Sequence, residues 1–568
     1  MRILIEGYAY RAEAVREEMG GLGALEGSDG RVAAPYVGYH YNPAVGDCVF
    51  ILPKVLLDGG NKVFSRMDPH DIVDPGGCAG LTAREREFLY GFAVWVYRAI
   101  AVYDRSAPGN GIVLRSRGAG MGRGGEGRGA SFLDVVLALL RFNKEHSHFL
   151  ATALRSMRTG LGRTDWRRTI AHTAAWMWTD GGTPVYTDPV GKRRVADTDE
   201  ELVTTYYSIL RHITREYGFR ADTPPGLELI PPGRFAHYLR GYGLRRLRQI
   251  RHRYFSDTQL RLWELCRDFF AGAGRVCFHE GERSEYLVAK NFNIVFEAMI
   301  DELVGDKEPP RGLKDQGDGK RVDHIFSHQG LIGGEGGPVY YIGDSKYYKI
   351  GNPVSGESVY KQFTYARNVV QWNVNLFLDG RGEDEGLRRE HTPCRDSLTE
   401  GYNIVPNFFI SAKMDGGLSY ADSVSQVGGV FVSRHFDNRL FDRDTLLVCH
   451  YDVNFLYVLS LYARCNAHQK ALWKRKVRRL LRAGIQKALQ ERYVFYAVRP
   501  RQGVDCVEYL ERNFRYLIGK VYRPFGDPGC LSLALERRFG EENEALLAKL
   551  GRDFHVWPCP LGEYPGSA

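Results

Sequence analysis

A chain of 568 residues, 44% hydrophobic and 26% charged, exceeds the usual size of a single core; it predicts a globular protein of several packed units and excludes a disordered or fibrous one. Lysine plus arginine outnumber aspartate plus glutamate 77 to 68, a basic excess that favours a polyanionic partner without specifying one. The 10 cysteines are scattered without a Cys-x-x-Cys pair, Glu6 interrupts the first apolar run, and no apolar run approaches ~18 residues, so neither a zinc finger, secretion nor a membrane span is expected, and a cytoplasmic protein is.

Residues 1 to 75 contain three strand-like runs, Arg2 to Ile5, Pro35 to Tyr41 and Cys48 to Leu57, separated by Gly, Asp and Asn turns, and predict a small barrel or sheet. From Leu81 the pattern turns helical: Thr82 is the N-cap candidate, Glu85 follows three residues later, and Phe88, Leu89, Phe92, Trp95, Val96 and Ile100 recur at helical spacing. These elements make a β-rich N-terminal module with a helix, residues 1–112. Residues 113–130 are mostly Gly and Arg. Gly120-x-Gly122-x-x-Gly125 has the letters of a dinucleotide fingerprint, but no βαβ pattern extends on either side, and a flexible linker is the reading.

Residues 131–275 read as mainly helical, with Ser131 to Arg141, Glu200 to Tyr217 and Asp257 to Phe270 as the clearest helices. Between them, Arg234 to Arg253 holds 7 arginines interleaved with Tyr238, Tyr242 and two histidines. That composition suits a phosphate backbone with aromatic stacking and equally a solvated helix face; Arg245, Arg246 and Arg248 are its candidate nucleic-acid-binding residues.

The segment 276–500 carries the chemistry. Phe292-Asn293-Ile294-Val295-Phe296-Glu297 is an amphipathic run ending in a carboxylate, Val322-Asp323-His324-Ile325-Phe326 is a short apolar run opening on an acid, and Val339-Tyr340-Tyr341-Ile342-Gly343 is a β-branched and aromatic run closing on Asp344-Ser345-Lys346. Side chains two apart on a strand share a face, so Asp344 and Lys346 converge. Asp318-Gly319-Lys320 repeats the Asp-x-Lys letters in a polar Gly-rich loop; only the later triplet ends an apolar run and has an acid, Asp323, 21 residues earlier across a Gly-rich turn, Gly330 to Gly337.

Further on, Ser358 to Phe377 is helix-like and carries Lys361, Gln362 and Tyr365, and Asp379 to Thr399 reads as an exposed loop. Tyr402 to Ser411 and Leu446 to His450 read as buried strands, with Asp452 as a cap for the helix Val453 to Ala463. Gln469 to Arg492 is a strongly basic helix in which Lys474, Arg475 and Arg478 are nucleic-acid candidates and Leu472, Val477, Leu480 and Leu481 give an apolar face. Residues 501–568 are a C-terminal extension.

Phosphodiester hydrolysis needs a cation against the charge of the phosphorane, an activated water and ligands that hold both. Asp323 and Asp344 suit a divalent ion such as Mg²⁺, which takes few carboxylates plus water and substrate oxygens. Lys346 suits activation of the water or stabilisation of the pentacovalent phosphorus, Glu297 a second ion or a water, and Gln362 orientation from the following helix.

The order helix-Glu, strand-Asp, strand-Asp-x-Lys, helix-Gln resembles the PD-(D/E)XK nuclease superfamily. Within it the sequence is similar to LlaJI-type restriction endonucleases and McrC subunits in the words Asn293-Ile294-Val295-Phe296-Glu297, Val322-Asp323-His324-Ile325-Phe326, Ile342-Gly343-Asp344-Ser345-Lys346-Tyr347-Tyr348-Lys349 and Lys361-Gln362-Phe363-Thr364-Tyr365-Ala366. Further words lie in Phe50-Ile51-Leu52-Pro53-Lys54 and Cys449-His450-Tyr451-Asp452-Val453-Asn454-Phe455-Leu456. Val322 stands where the superfamily name has proline, and Tyr365 follows Gln362 at i+3 where RecB-like members have it at i+4.

The resemblance implies an α/β fold with a PD-(D/E)XK restriction-endonuclease-like core, a mixed sheet flanked by helices, joined to the β-rich N-terminal module and the helical middle region. It implies Mg²⁺-dependent cleavage of double-stranded DNA, with Mn²⁺ as the alternative ion, in a restriction system. Asp323, Asp344 and Glu297 become the metal residues and Lys346 and Gln362 their catalytic companions. It also implies a separate McrB-like AAA+ NTPase motor, since the chain has no Gly-x-x-x-x-Gly-Lys-Ser/Thr loop of its own. Residues 1 to 75 are the docking candidate by position. The competing readings are a non-catalytic DNA-binding or scaffold subunit and a RecB-like repair or recombination nuclease.

Overall fold

The computed structural model describes residues 1–15, 18–19, 25–26, 30–42, 47–115, 132–147, 149, 151–157, 163–177, 182–197, 200–217, 221–278, 285–310, 312–316, 319–332, 338–379, 395–464, 466–523 and 529–563. Most of the Gly/Arg linker, the tip of the Gly330 to Gly337 turn and the loop after Asp379 up to Cys394 lie outside the described residues, as does Asp318.

The first strand, β1 (Arg2–Ile5), is apolar on both sides: Ile3 and Ile5 enter one core and Leu4 another. Strands β2 (Tyr36–Asn42) and β3 (Asp47–Leu52) continue its sheet, β3 parallel to β1 and antiparallel to β2. Helix α1 (Ala83–Ser106) starts on the expected capping box, with Thr82 Oγ1 accepting from Glu85 N at 3.2 Å and Glu85 Oε2 from Thr82 N at 2.8 Å. Leu89, Phe92, Val96 and Ile100 form its buried stripe. Strand β4 (Val113–Arg115) follows.

The middle region has its own core. Helices α2 (Phe132–Glu145), α3 (Glu201–Tyr217), α4 (Gly243–Ile250) and α5 (Asp257–Phe278) gather Phe142, Tyr206, Leu210, Leu247 and Phe269. Between α2 and α3, however, residues 151–197 include antiparallel strands, Gly191–Asp197 between Ala151–Met157 and Arg163–Thr164. The sequence expectation of a mainly helical region is corrected there. Backbone pairing builds these strands, and their polar sequences carry almost no period-2 apolar signal.

Strand β5 (Glu285–Lys290) returns to the N-terminal sheet between β2 and β4, giving the order β1-β3-β2-β5-β4. Gly38 on β2 allows this approach: its φ is +144°, and a Cβ would lie 2.3 Å from the Leu287 carbonyl. Helix α6 (Phe292–Val304) then leads into the central sheet.

That sheet contains β6 (His324–Gln329), β7 (Pro338–Lys346), β8 (Asn407–Lys413), β9 (Val424–Gln426), β10 (Phe431–Ser433) and β11 (Leu446–Asn454). The path is β6-β7-β8-β11-β9, with β10 also on β11; β7, β8 and β11 are mutually parallel and the other pairings antiparallel. Its parallel strands are buried on both faces, as the run Phe408-Phe409-Ile410 requires. Helix α6 packs against β6 and β7 on one face. On the other lies α7 (Gly356–Asp379), where Val359, Phe363 and Val369 meet Ile342, Phe409 and Val448.

Helix α8 (Phe455–Ala463) is capped by Asn454, whose side chain accepts from Leu456 N at 3.1 Å. Asp452 lies within β11 and is not the cap: the strand continues past His450, moving the helix start by two residues. Helix α9 (Ala467–Arg492) leads to β12 (Tyr493–Pro500), which pairs with β14 (Leu531–Glu536) and β15 (Phe554–Pro558) in a C-terminal antiparallel sheet that β13 (Val521–Tyr522) completes. The protein is therefore a mixed α/β fold.

The N-terminal and central sheets share one continuous core that includes Ile5, Tyr39, Phe92, Phe296, Phe408, Leu459 and Trp473. Across the seam Tyr347 donates to Glu6 Oε2 at 2.6 Å, and Lys54 N donates to the same oxygen at 3.2 Å. Residues 1 to 75 consequently cannot be deleted without exposing that core. Burial pushes the Glu6 carboxyl above its ordinary value, against the opposing pull of Tyr347 and Lys54. A raised folded-state value means that stability is lost as pH rises through it. Glu6→Gln keeps an acceptor for both donors, and the expected result is a thermal midpoint raised by about 1–3 °C at pH 8 and hardly changed at pH 4. Equal shifts at both pH values would remove the carboxyl as the cause.

Candidate active site

The hairpin of β6 and β7 pairs His324 with Gly343, so Asp323, just ahead of β6, falls beside Asp344. Ser345 N, the next backbone amide, donates to Asp323 Oδ2 at 3.4 Å, which fixes the two acids as neighbours. Burial above all, then Asp344 and Glu297, push Asp323 up to about 9. Asp344 is only 4% exposed. Lys346, two residues on, places Nζ 2.5 Å from Asp344 Oδ2 and 5.4 Å from the centre of the Phe409 ring. On the opposite face Gly343 makes room for Phe408, because a Cβ there would lie 2.2 Å from that ring.

Glu297 reaches the same region from α6. It is half-buried, Asn293 Nδ2 donates to it at 3.5 Å, and burial raises its carboxyl; Asp344 adds to that while His324 and Lys346 oppose it. The helix is fastened nearby. His324 Nδ1 lies 3.5 Å from Asp301 Oδ1, and Lys314 Nζ donates to Asp301 Oδ2 at 2.6 Å. Glu297, Asp323, Asp344 and Lys346 thus form one electrostatically coupled group.

Gln362 is engaged elsewhere. It is fully buried, with Nε2 donating to Asn407 Oδ1 at 2.6 Å and its backbone carbonyl accepting from Asn407 Nδ2 at 3.2 Å, and so it ties α7 to β8. The preceding residue, Lys361, feels the acid pair: a hydrogen bond to Tyr365 first, then Tyr365, Asp344 and Asp323 through space, raise it above its ordinary value. Lys361 stands in the same sequence word as Gln362, but which of two adjacent helix residues faces a sheet depends on the packing of α7. Lys320, from the second Asp-x-Lys triplet, lies in a loop.

The basic candidates divide. Arg245, Arg248 and Arg475 are exposed. Arg246 is held by Glu201 through Nε at 2.5 Å and Nη2 at 3.0 Å. Lys474 donates to the Gly305 carbonyl at 2.6 Å, and Arg478 to Val304 O at 2.7 Å and Asp306 at 2.6 Å while stacking over Phe326. Both cations neutralise the carboxyl end of α6, the helix that carries Glu297. Burial, then Arg478, lowers Lys474.

Among the described residues no group of three or more His, Cys, Asp or Glu side chains forms a ready-made metal cage. The donors here are the two neighbouring carboxyls with Glu297 nearby. Two buried acids that compete for one charge are the kind of set a divalent cation relieves, and Mg²⁺ asks for no more protein ligands than these. No helix among the described residues is long and apolar enough to cross a membrane.

No protein-family model matches this sequence, and no curated protein does. Among solved structures, a chain of the refined half-complex from the tetradecameric assembly of Thermococcus gammatolerans McrB AAA+ hexamers with bound McrC aligns with 84% of this chain and 99% of its own length, at 11% identity and a TM-score of 0.26. A score that low does not show a shared fold.

Proposed function

We propose that this chain is the nuclease subunit of a restriction system and hydrolyses phosphodiester bonds of double-stranded DNA on a PD-(D/E)XK-like core. The observation that carries this reading is the register that sets Asp323 beside Asp344, with Ser345 N on Asp323 and the Lys346 ammonium 2.5 Å from Asp344, at adjoining strands of a mixed sheet. Asp323 and Asp344 would hold Mg²⁺ or Mn²⁺, with Glu297 beside them. A divalent ion bound there supplies charge neutralisation for the phosphorane and acidifies a water.

The side chains provide the rest. Lys346, with 12% of its side chain exposed, is held against Asp344 and the Phe409 ring and would present its charge to a phosphate bound at the acids. Lys361 adds a second cation at the α7 rim. The Asp301–His324 contact keeps α6 and β6 together, fixing Glu297 relative to Asp323. An McrB-like AAA+ motor as partner is supported by the sequence words quoted above.

The deciding experiment is cleavage of a supercoiled plasmid with Mg²⁺, with and without a co-expressed motor. The expected result is cutting by the wild type and none by Asp344→Ala. Equal behaviour of the two wherever DNA is cut removes the site, and an uncut plasmid under every condition favours a non-catalytic subunit.

Arg245 and Arg248 are proposed to touch the DNA backbone, whereas Arg246 serves Glu201. Neutralising Arg245 and Arg248 together is expected to reduce the slope of log K against log salt by roughly 0.9 for each lost phosphate contact, for all sequences alike. An unchanged slope would leave the two arginines as a solvated helix face.

A further inference from the structure

The sheet face that carries Asp344 and Lys346 continues across two more strands. In the parallel register of β7 and β8, Asp344 lies opposite Phe409 and Lys346 opposite Ser411; from β8 to β11, Phe409 lies opposite His450 and Ser411 opposite Asp452. Residues paired in register share a face, as do residues two apart on one strand. The six therefore form a block on the side covered by α7.

The contacts agree with that placement. The Phe409 ring, 5.4 Å from Lys346 Nζ, meets His450 edge-on at 6.3 Å. Ser411 Oγ is 2.7 Å from His450 Nε2. Asp452 Oδ1 lies 3.8 Å from that same nitrogen, and its other oxygen holds Lys413 Nζ at 3.1 Å. Polar groups on the inner strands of such a sheet cost free energy unless they are bonded. Here a hydroxyl, an imidazole and an ion pair stand in line with the candidate active site, Ser411, His450 and Asp452 half-buried and Lys413 exposed.

A nucleophilic serine is not what this geometry makes. An acid that orients a catalytic imidazole bonds the nitrogen remote from the serine, and Asp452 instead approaches the nitrogen that Ser411 already occupies. Spacing points elsewhere. Neighbouring strands lie roughly 5 Å apart, so Ser411 is one spacing and His450 two spacings from the strand of Lys346. That distance covers about one to three nucleotides of a strand with a rise of ~3.4 Å.

We propose that Ser411, His450 and Lys413 bind the DNA strand at the linkage next to the one that Asp344 and Lys346 address. The Ser411 hydroxyl donates to a non-bridging phosphate oxygen, His450 Nε2 fixes that hydroxyl, and Lys413, held by Asp452, supplies the charge. This rests on the nuclease reading and extends its site from one phosphate to two.

The test uses the full chain with its motor, Mg²⁺ and plasmid DNA. Ser411→Ala is expected to raise KM about 10-fold with kcat changed less than about 3-fold and the thermal midpoint unmoved; Ser411→Thr, which retains the hydroxyl, should restore KM. Lys413→Gln should lower the salt slope of binding by roughly 0.9. Once the cut position is mapped, a duplex with a neutral methylphosphonate at the flanking linkage should slow the wild type and Ser411→Ala to the same rate. Wild-type behaviour of Ser411→Ala and Lys413→Gln, with Asp344→Ala inactive, overturns the inference and leaves the nuclease reading standing. A Ser411→Ala defect that follows a lowered midpoint and is not rescued by threonine also overturns it. Full activity of Asp344→Ala overturns the nuclease reading itself.

Discussion

Asp344→Asn is expected to lower the rate of DNA cleavage by about 10³-fold and, measured in EDTA, to raise the thermal midpoint. Both directions come from one arrangement. In the folded protein two carboxyls are neighbours in a mostly buried site, and the cost appears in Asp323, driven up to about 9 by burial and by Asp344 beside it. Asparagine keeps the volume and offers an amide that can donate to Asp323, so that carboxyl no longer has to be held protonated beside a second acid. Against this stands the lost ion pair with Lys346. That ammonium is 12% exposed and cannot readily turn into water, but it has Asp323 within the same cluster as a substitute partner, so relief of the acid pair is the larger effect. Function suffers because the negative charge that would hold the ion is gone. A stability gain paired with a loss of activity is the expected sign of a site whose groups are held in place by the fold against their mutual repulsion. A lowered midpoint with retained cleavage would make Asp344 a structural acid.

The parts of this arrangement that could be read from the residues are those encoded locally. Thr82 and Glu85 name a helix start because both halves of the capping box lie within one turn. Asp344 and Lys346 share a face because the period of a strand is two, and Glu297 stands on a helix because its neighbours recur at helical spacing. What could not be read depends on which elements become neighbours. Gln362 and Lys361 differ by one position, and only the seating of α7 on Asn407 decides that the amide turns inward. Lys474 and Arg478 have the composition of a DNA-binding face, yet α9 packs against α6 and they serve its carboxyl end, 169 and 174 residues away in sequence. Strand β5 precedes the acid-bearing elements in the chain and joins a sheet begun at residue 2. The Ser411 and His450 pairing likewise needs the register of strands whose residues are 39 apart. Long-range register is not a property of any window of sequence.

Glu536→Ala is expected to be the most destabilising single change at the joint between the C-terminal sheet and the central one. Glu536 ends β14 with 3% of its side chain exposed, and accepts from Arg434 Nη1 at 2.8 Å, Arg492 Nε at 3.1 Å and the backbone N of Asn438 at 3.3 Å, while Arg538 Nε lies 3.0 Å away. Asn438 Oδ1 in turn accepts from Glu536 N at 2.7 Å. Burial by itself would raise this carboxyl; the arginines, Arg434 first, outweigh it and hold the group below its ordinary value. Deleting one partner of a buried ion cluster costs about 3–5 kcal/mol, because the remaining charges stay desolvated. Arg492 and Arg538 are 33% and 47% exposed and can turn into water, whereas Arg434 is 20% exposed and cannot readily do so. The lower end, about 3 kcal/mol, is therefore expected in denaturant unfolding at pH 7. A depressed folded-state value means stability that is present above the ordinary glutamate value of about 4.3 and lost as pH falls through the folded one. Glu536→Gln separates charge from shape: its midpoint should fall short of the wild type at pH 7 and meet it in strong acid, where the wild-type carboxyl is protonated too. A Gln variant equal to wild type at pH 7 would show that hydrogen bonding alone, and not the ionic cluster, holds the C-terminal sheet against Arg434.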